Sequence, residues 1–326
     1  MYSSRIFASI GAVTVAALAI NVLSAVKVYV LPSKLKRYAH VSADGKHPWA
    51  LVTGASDGIG RAFAEELALR GFNVVLHGRN QTKLDVVKSE LQEKHPETFF
   101  RTLVADASKV QCVNCLQGGE NESHHPLDFN AIKDALQDLH LTVLINNAGG
   151  GARDPVYLSL SDSSEERITD NVTVNALFPL HLIRVLLPHL AQNSPALIMN
   201  ISSLADAGLP LLASYSASKQ FLMTLTRTID LEIAFSGKAE IECLGVRVGN
   251  VTGVSHNRQS PSFFTPSANT MARAALDRAG RGHGVITGHW AHALQQAMMD
   301  FMPTFLARIV ILNTIRERKE AELKSS

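Results

Sequence analysis

Tyr215 and Lys219 are the residues of this sequence best suited to move a proton. They stand four positions apart in an apolar helical pattern, so both side chains lie on one face of the predicted helix. A free tyrosine has a pKa of about 10, and a neighbouring ammonium lowers that pKa because it favours the phenolate. The pair could therefore donate a proton to a carbonyl oxygen. On its own, such spacing more often marks a solvated helix face.

A polar segment at the end of an apolar run could hold the reacting carbonyl. Ser202 and Ser203 close a predicted strand, at the carboxyl edge where open α/β sheets place their sites. Either hydroxyl could bind the carbonyl oxygen beside Tyr215. Asn175 is a further polar candidate because it interrupts an apolar helical pattern. The alternative for Asn175 is an asparagine that satisfies a helix kink.

A glycine-rich turn far upstream predicts the partner for this chemistry. It follows a short apolar run and opens an amphipathic helical pattern. Because glycines lack Cβ atoms, the backbone can approach a pyrophosphate, and a helix N-terminus offers free N–H groups and a positive dipole end. The predicted dinucleotide-binding residues of this turn are Thr53, Gly54, Ser56, Gly58, Ile59 and Gly60.

The end of the second predicted strand indicates which dinucleotide binds. NADH sites place an acid there for the ribose 2′-hydroxyl, whereas this chain has His77-Gly78-Arg79-Asn80. Arg79 could pair with a 2′-phosphate, and Ser56 could add a hydrogen bond. We therefore expect the cofactor NADP(H), with a plain surface role for Arg79 as the alternative.

The elements that must position these residues alternate along the chain. Strands are predicted at 49–53, 73–77, 99–104, 141–145, 196–201, 241–248 and 284–287, and helices at 60–70, 82–94, 129–139, 167–187 and 213–235. Such alternation predicts βαβ units. The expected fold class is α/β, a Rossmann-type doubly wound parallel sheet with helices on both faces, plus an N-terminal transmembrane helix.

The N-terminal residues differ in character from the rest. Residues 6–26 are largely apolar and long enough to cross a bilayer as a helix, with a cleaved signal peptide as the rival interpretation. Basic residues are more frequent after this segment than before it, which places the following domain in the cytosol. We expect a membrane anchor at 1–31, a polar linker at 32–47, a catalytic domain at 48–290 and a helical tail at 291–326.

The tail carries a second apolar stretch at 297–312, broken by Asp300, Pro303 and Arg308. Its interruptions argue against a membrane span. We expect either a helix packed on the domain or a helix lying on a membrane surface.

Two partner classes are not expected. The net charge is only +2 and no basic stripe with interleaved aromatics is present, so nucleic acid is not an expected partner. The spacing of Cys112, Cys115, His124 and His125 could suit zinc, but no second cysteine pair accompanies them. We expect a solvated insertion there and no metal.

Taken together, these motifs resemble the short-chain dehydrogenase/reductase family over residues 47–290. The resemblance rests on the glycine turn, Asn146-Asn-Ala-Gly149, Asn175, the serine pair and Tyr215/Lys219. It implies a catalytic tetrad of Asn175, a serine, Tyr215 and Lys219, with Lys219 also binding ribose. It further implies Asp106 near the adenine, and Asn147, Ala148 and Gly149 beside the cofactor.

Further stretches narrow the resemblance to very-long-chain 3-oxoacyl-CoA reductases and 17β-hydroxysteroid dehydrogenases. They are Asp57-Gly-Ile-Gly60, Arg70-Gly-Phe-Asn-Val-Val-Leu76 and Thr265-Pro-Ser267. The branch implies an endoplasmic reticulum membrane protein that reduces a hydrophobic ketone with NADPH. Homo-oligomers are common in the family and are a further expectation. The alternatives are a ketoreductase of specialised metabolism and a non-catalytic NADPH-binding membrane scaffold.

The sequence departs from the family pattern at two places near the site. Family spacing to Tyr215 selects Ser202, whereas matching the strand end and the serine pair selects Ser203. We prefer Ser203, because loops tolerate deletions better than strand ends do. The loop after the sixth predicted strand lacks the usual proline, although Val251 and Thr252 keep the positions of cofactor contacts.

Overall fold

A computed structural model describes residues 2–110, 126–151, 155–237, 240–254, 257–282 and 284–325. The strands are β1 Pro48–Thr53, β2 Asn73–Gly78, β3 Phe100–Val104, β4 His140–Asn146, β5 Ala196–Ser203, β6 Ile241–Val248 and β7 Val285–Thr287. The α-helices are α1 Tyr2–Val30, α2 Gly58–Leu69, α3 Gln81–Lys94, α4 Phe129–Asp134, α5 Glu165–Val172, α6 Phe178–Gln192, α7 Ala213–Ser236, α8 Ala268–Leu276, α9 Trp290–Asp300 and α10 Thr304–Ser325. The segment expected to form a solvated insertion without a metal, Cys112 to His125, lies outside the described residues.

The strands form one parallel sheet in the order β3-β2-β1-β4-β5-β6-β7. The strand order reverses direction between β1 and β4, and open α/β sheets bind ligands at the carboxyl ends of the strands beside such a point. The predicted fold class, a Rossmann-type doubly wound α/β sheet with helices on both faces, is confirmed.

Side chains of the central strands alternate between two cores. In β1, Ala50 and Val52 pack with one apolar cluster and Leu51 packs with the other, because successive strand side chains point to opposite faces. The first cluster contains residues of α2, α3 and α8, and the second contains residues of α4, α6 and α7. Both faces are thus covered, as a parallel sheet requires, so its strands are apolar on both sides.

Two predicted helices differ from the observed elements. The helix expected at 129–139 ends as α4 at Asp134, and single turns then bring Leu136 and Leu139 into the core. The helix expected at 167–187 runs from Glu165 to Gln192, and a π-helical turn at Thr173–Leu177 divides it into α5 and α6. Such turns are rare and are found mostly at functional sites.

A short part of the segment expected to form a polar linker at 32–47 packs on the domain. Leu35 and Tyr38 are buried in the first cluster, within a 3₁₀ turn at Leu35–Tyr38. The Tyr38 hydroxyl donates a hydrogen bond to the Glu242 carboxylate. The backbone carbonyl of Tyr38 accepts a 2.7 Å hydrogen bond from Thr142 Oγ1. Burial of two large side chains fixes the path of residues 35–38 on the domain.

Two stretches of the described residues are long and apolar enough to cross a membrane. One, Glu165–Gln192, is half-buried within the domain, as expected of a core helix. The other, Ile10–Val30 of α1, has no buried residue among its described side chains. Most of those side chains are exposed, whereas Val28 and Tyr29 at the carboxyl end of the helix are half-buried.

Candidate active site

Tyr215 and Lys219 lie one turn apart on α7, beside the carboxyl end of β5. The Lys219 Nζ lies 5.9 Å from the centre of the Tyr215 ring and donates a 2.9 Å hydrogen bond to the Ile201 carbonyl. Lys219 is buried, and desolvation lowers its pKa to about 8. The spacing thus places a buried cation next to the tyrosine, and the carbonyl of β5 fixes its position.

The environment of Tyr215 keeps its phenol protonated. Burial is the largest effect and raises the pKa of Tyr215, the Ser203 hydroxyl opposes it as a hydrogen-bond partner, and the Asp206 carboxylate raises the pKa further. The spacing of Tyr215 and Lys219 predicted a lowered pKa of Tyr215, because the ammonium favours the phenolate. The net direction in the structure is upward, because burial penalises the phenolate. A protonated phenol is the form that a proton donor to a carbonyl requires.

The structure separates the roles of the two serines. Ser203 faces Tyr215 as its hydrogen-bond partner and accepts a 3.1 Å hydrogen bond from the Ala205 N–H. Ser202 is buried, and its hydroxyl donates a 3.1 Å hydrogen bond to the Lys219 carbonyl. Ser203 is therefore the serine that shares a site with Tyr215, whereas Ser202 holds α7 against β5.

Asn175 lies in the π-helical turn and fastens the loop after β4. Its Nδ2 donates to the carbonyls of Gly150 and Asn171 at 3.0 and 2.8 Å, and its Oδ1 accepts the Gly150 N–H at 3.0 Å. Asn171 Nδ2 donates to the same Gly150 carbonyl at 3.0 Å. Asn175 is thus a positioning residue for the Gly149–Gly150 segment, and sequence reasoning missed Asn171, one turn earlier.

The glycine turn between β1 and α2 lets a ligand approach the protein backbone closely. Gly54 and Gly58 have φ of +68° and +56°, which favour glycine. A Cβ at Gly60 would collide with the Gly54 carbonyl oxygen, so the turn folds tightly only with glycine there. The first-turn N–H groups of α2, at Ile59 and Gly60, lack intrahelical acceptors by the geometry of a helix start. They are suited to hold an anion.

Thr53 and Asn147 join the glycine turn to the loop after β4. Thr53 Oγ1 accepts the N–H groups of Asn147 and Ala148, both at 2.9 Å, and Asn147 Nδ2 donates to the Thr53 carbonyl at 3.0 Å. Thr53 is buried, so its side chain serves this internal contact. These predicted cofactor residues fix the shape of the cradle.

The remaining predicted cofactor residues lie around the same sheet edge. Arg79 is exposed just after β2, and Ser56 is half-buried within the glycine turn. Asp106 follows β3, where its carboxylate accepts hydrogen bonds from the N–H and hydroxyl of Ser108 at 3.0 and 2.9 Å. Since Gly78 and Val104 pair at the ends of β2 and β3, Arg79 and Asp106 share one end of the groove.

The loop after β6 closes over the glycine turn. Val251 and Thr252 are buried, and Val254 packs so closely on Gly58 that a Cβ there would lie 3.0 Å from Val254 Cγ1. Beside it, Arg247 forms a 2.6 Å ion pair with the buried carboxylate of Asp206. Sequence reasoning missed Asp206, whose partner stands 41 residues away.

A small pocket opens next to Tyr215. Its lining combines apolar side chains, Val156, Leu158, Leu160, Leu211 and Leu212, with the polar side chains of Ser163, Arg167 and Ser214. The chemistry that the site can perform is a proton transfer beside a nucleotide cradle.

A dinucleotide cradle at the switch point of a parallel sheet, with the half-buried Tyr215 and the buried Lys219 beside it, defines a nicotinamide-dependent oxidoreductase. The chain belongs to the short-chain dehydrogenase family, whose model, described as short chain dehydrogenase, matches residues 48–261. The resemblance stated from the motifs is thereby confirmed.

Individual relatives are similar over most of the chain. Very-long-chain 3-oxooacyl-coA reductase let-767 of Caenorhabditis elegans is 34% identical over 307 residues, 91% of this chain and 90% of that protein. Inactive hydroxysteroid dehydrogenase-like protein 1 of Pongo abelii is 32% identical over 261 residues, 79% of this chain and 73% of that protein. Among solved structures, the bulky-bulky ketone specific alcohol dehydrogenase from Comamonas testosteroni has a TM-score of 0.59 and 25% identity, covering 79% of this chain and 95% of that chain.

Proposed function

We propose that this protein is an NADPH-dependent reductase that converts a hydrophobic ketone, a 3-oxoacyl-CoA or a steroid-like molecule, to the alcohol. The observation that carries this proposal is the Tyr215 phenol beside the glycine cradle, with Ser203 as its hydrogen-bond partner and the Lys219 ammonium one turn away on α7. The similarity to a very-long-chain 3-oxooacyl-coA reductase supports the acyl-CoA as the first substrate to test.

The chain's own residues divide the work of the reaction. NADPH, when bound in the glycine cradle, supplies a hydride to the carbonyl carbon. Ser203 holds the carbonyl oxygen, and the Tyr215 hydroxyl donates its proton to that oxygen. The Lys219 ammonium stabilises the phenolate that remains and binds the ribose, while Asn175 keeps the Gly149–Gly150 segment in place.

The choice of NADPH over NADH is part of this proposal. The end of β2 offers the exposed Arg79 and no acid, so a 2′-phosphate would meet a guanidinium and no repelling carboxylate. Ser56 stands in the adjacent turn as a hydrogen-bond donor. In this proposal Asp106 lies beside the adenine, and Val251 and Thr252 lie near the nicotinamide end.

We also propose that α1 anchors the protein in the endoplasmic reticulum membrane with the catalytic domain in the cytosol. The exposed apolar helix and the basic residues after it support this orientation. Self-association is a further part of the proposal, since α7 leaves Leu231 and Phe235 exposed. Light scattering of the purified protein in detergent would give its oligomeric state.

Turnover by the detergent-solubilised protein tests the proposed reaction. NADPH oxidation is followed against a long 3-oxoacyl-CoA, a 17-ketosteroid and simple aromatic ketones, with NADH in parallel. We expect turnover with NADPH of the acyl-CoA or the steroid, and Tyr215→Phe should abolish it while cofactor affinity is kept. Turnover of the aromatic ketones alone would favour a ketone of specialised metabolism.

A second function is favoured by one specific observation. A relative at 32% identity is named an inactive hydroxysteroid dehydrogenase-like protein. The corresponding proposal is a non-catalytic NADPH-binding membrane scaffold. It predicts that NADPH binds, that no ketone of the panel is reduced, and that Tyr215→Phe changes nothing.

A further inference from the structure

We propose that the protein carries a second membrane contact, an apolar surface that rests on the bilayer beside the α1 anchor. This lipid-facing surface is formed by Phe263, Trp290, Leu294, Met298, Phe301 and Phe305. The proposal rests on the α1 anchor proposed above and does not depend on the reaction.

Large apolar side chains are exposed along one face of α9. Trp290, Leu294, Met298 and Phe301 follow one another at intervals of three or four residues, so they form one stripe on the helix. Their exposed fractions are 48%, 45%, 57% and 82%. A contiguous exposed apolar stripe of this kind marks an interaction site in a folded protein.

Exposed phenylalanines also lie on both sides of α9 in the sequence. Phe263 packs edge-on against Trp290 with ring centres 5.0 Å apart, although it remains 58% exposed. At the other end, Phe305 of α10 is 66% exposed. The Phe263 ring thus extends the stripe of α9, and a further exposed phenylalanine follows the stripe on α10. Such an aromatic-rich composition is typical of membrane interfaces.

The position of α1 identifies lipid as the partner of the stripe. The last turn of α1 is fixed beside the start of the stripe, since the Tyr29 hydroxyl donates a 2.7 Å hydrogen bond to the Thr287 carbonyl. Arg278 also donates to the Val28 carbonyl. Trp290 comes three residues after Thr287. A bilayer that contains α1 thus lies next to the stripe, and burial of the stripe in it would remove its apolar area from water.

The chain offers its own probe for this surface. It contains two tryptophans, Trp49 and Trp290. Trp49 lies near the amino end of β1, where its ring packs under the Arg101 guanidinium, and Trp290 follows β7 past the carboxyl end of the sheet. The variant Trp49→Phe keeps Trp290 as its single tryptophan, which reports on the lipid-facing surface. The variant Trp290→Phe keeps Trp49, which reports on the far side of the domain.

The experiment compares the full-length variants in phosphatidylcholine vesicles with brominated and with ordinary acyl chains. We expect Trp290, read in Trp49→Phe, to lose about half of its fluorescence to bromine, as an interfacial tryptophan would. Trp49, read in Trp290→Phe, should keep its intensity. Adding Phe301→Glu to Trp49→Phe should reduce the quenching, whereas adding Phe99→Glu, at an exposed phenylalanine just before β3, should not.

The outcomes separate the proposal from its rivals. Flotation of the protein with vesicles, without quenching of Trp290, would overturn the lipid-facing surface and leave α1 as the sole anchor. Trp290 shielded from aqueous acrylamide but not quenched by bromine would mean that a second copy covers the stripe, and would also overturn it. Failure to float at all would overturn the surface and the anchor together.

Discussion

The carboxylate of Glu322 accepts a hydrogen bond from the backbone N–H of Val156, 166 residues earlier in the chain. Its other oxygen accepts the Tyr157 N–H at 3.2 Å. On the opposite side, the Arg167 guanidinium donates to the Val156 carbonyl at 3.3 Å. The pocket wall beside Tyr215 is thus held between an acid of α10 and a base of α5, and this relationship links the tail to the site.

Weakening the Glu322 contact should therefore loosen the substrate pocket. We expect Glu322→Gln to raise KM for the ketone by about tenfold, in line with loss of charge-assisted hydrogen bonds, with kcat largely unchanged. Glu320→Gln, an exposed glutamate on the same helix, is the matched control. Faster amide exchange at Val156 and Tyr157 in Glu322→Gln should be seen without any substrate, and an unchanged exchange rate would contradict the prediction.

The serine pair gives a prediction with opposite outcomes at neighbouring positions. Ser203→Ala should lower kcat/KM by about a hundredfold, since it removes the hydroxyl that faces Tyr215. Ser202→Ala should keep turnover but lower the unfolding midpoint, because the Lys219 carbonyl loses a buried 3.1 Å hydrogen bond. Steady-state kinetics, thermal unfolding and NADPH titration of both variants check this, and the reverse order of activities would show that Ser202 is the catalytic serine.

Gly149 should tolerate no side chain, and its neighbour Gly150 is a control that separates steric collision from backbone strain. A Cβ at Gly149 would collide with Asn175 Oδ1 and lie 3.1 Å from Lys219 Nζ. Gly150 has nearly the same φ, +151° against +150°, but has open space around its Cβ position. We expect Gly149→Ala to lower kcat at least about tenfold further than Gly150→Ala does. Equal losses in the two variants would mean that backbone strain alone is responsible.

The parts of the site that the sequence predicted are those determined by local rules. Tyr215 and Lys219 share a helix face because of their spacing. Gly54 and Gly58 adopt positive φ in a turn that a short local motif specifies. The strand period likewise predicted most of the sheet. These features depend on neighbours within a few residues, so a single sequence contains enough information for them.

The parts that were missed depend on distant residues. Nothing near Glu322 in the sequence indicates that it reaches Val156, and nothing near Tyr38 indicates that it is buried against β4 and β6. The choice between Ser202 and Ser203 required the strand end to be placed to a single residue, since neighbouring side chains point to opposite faces. The π-helical turn contains Asn175, which bonds Gly150 at 25 residues' distance along the chain, and local helix preference cannot predict such a contact.

His77 gives a prediction about the pH dependence of stability. It is buried in β2, stacked on Phe178 with ring centres 5.1 Å apart, and neither ring nitrogen has a hydrogen-bond partner among the described residues. Desolvation lowers the pKa of His77 from 6.5 to about 4. Between these two values the unfolded chain binds a proton that the folded protein excludes, so His77 makes stability fall as the pH falls from 6.5 towards 4.

Replacing His77 with an apolar residue should therefore reduce the acid sensitivity of the fold. We expect the thermal unfolding midpoint of His77→Leu, measured in detergent between pH 4 and pH 6.5, to decline less with acidification than that of the unaltered protein. The matched control is His47→Leu, at an exposed histidine, which should follow the unaltered protein. Parallel pH curves for His77→Leu and the control would show that His77 takes up its proton without cost to the folded state.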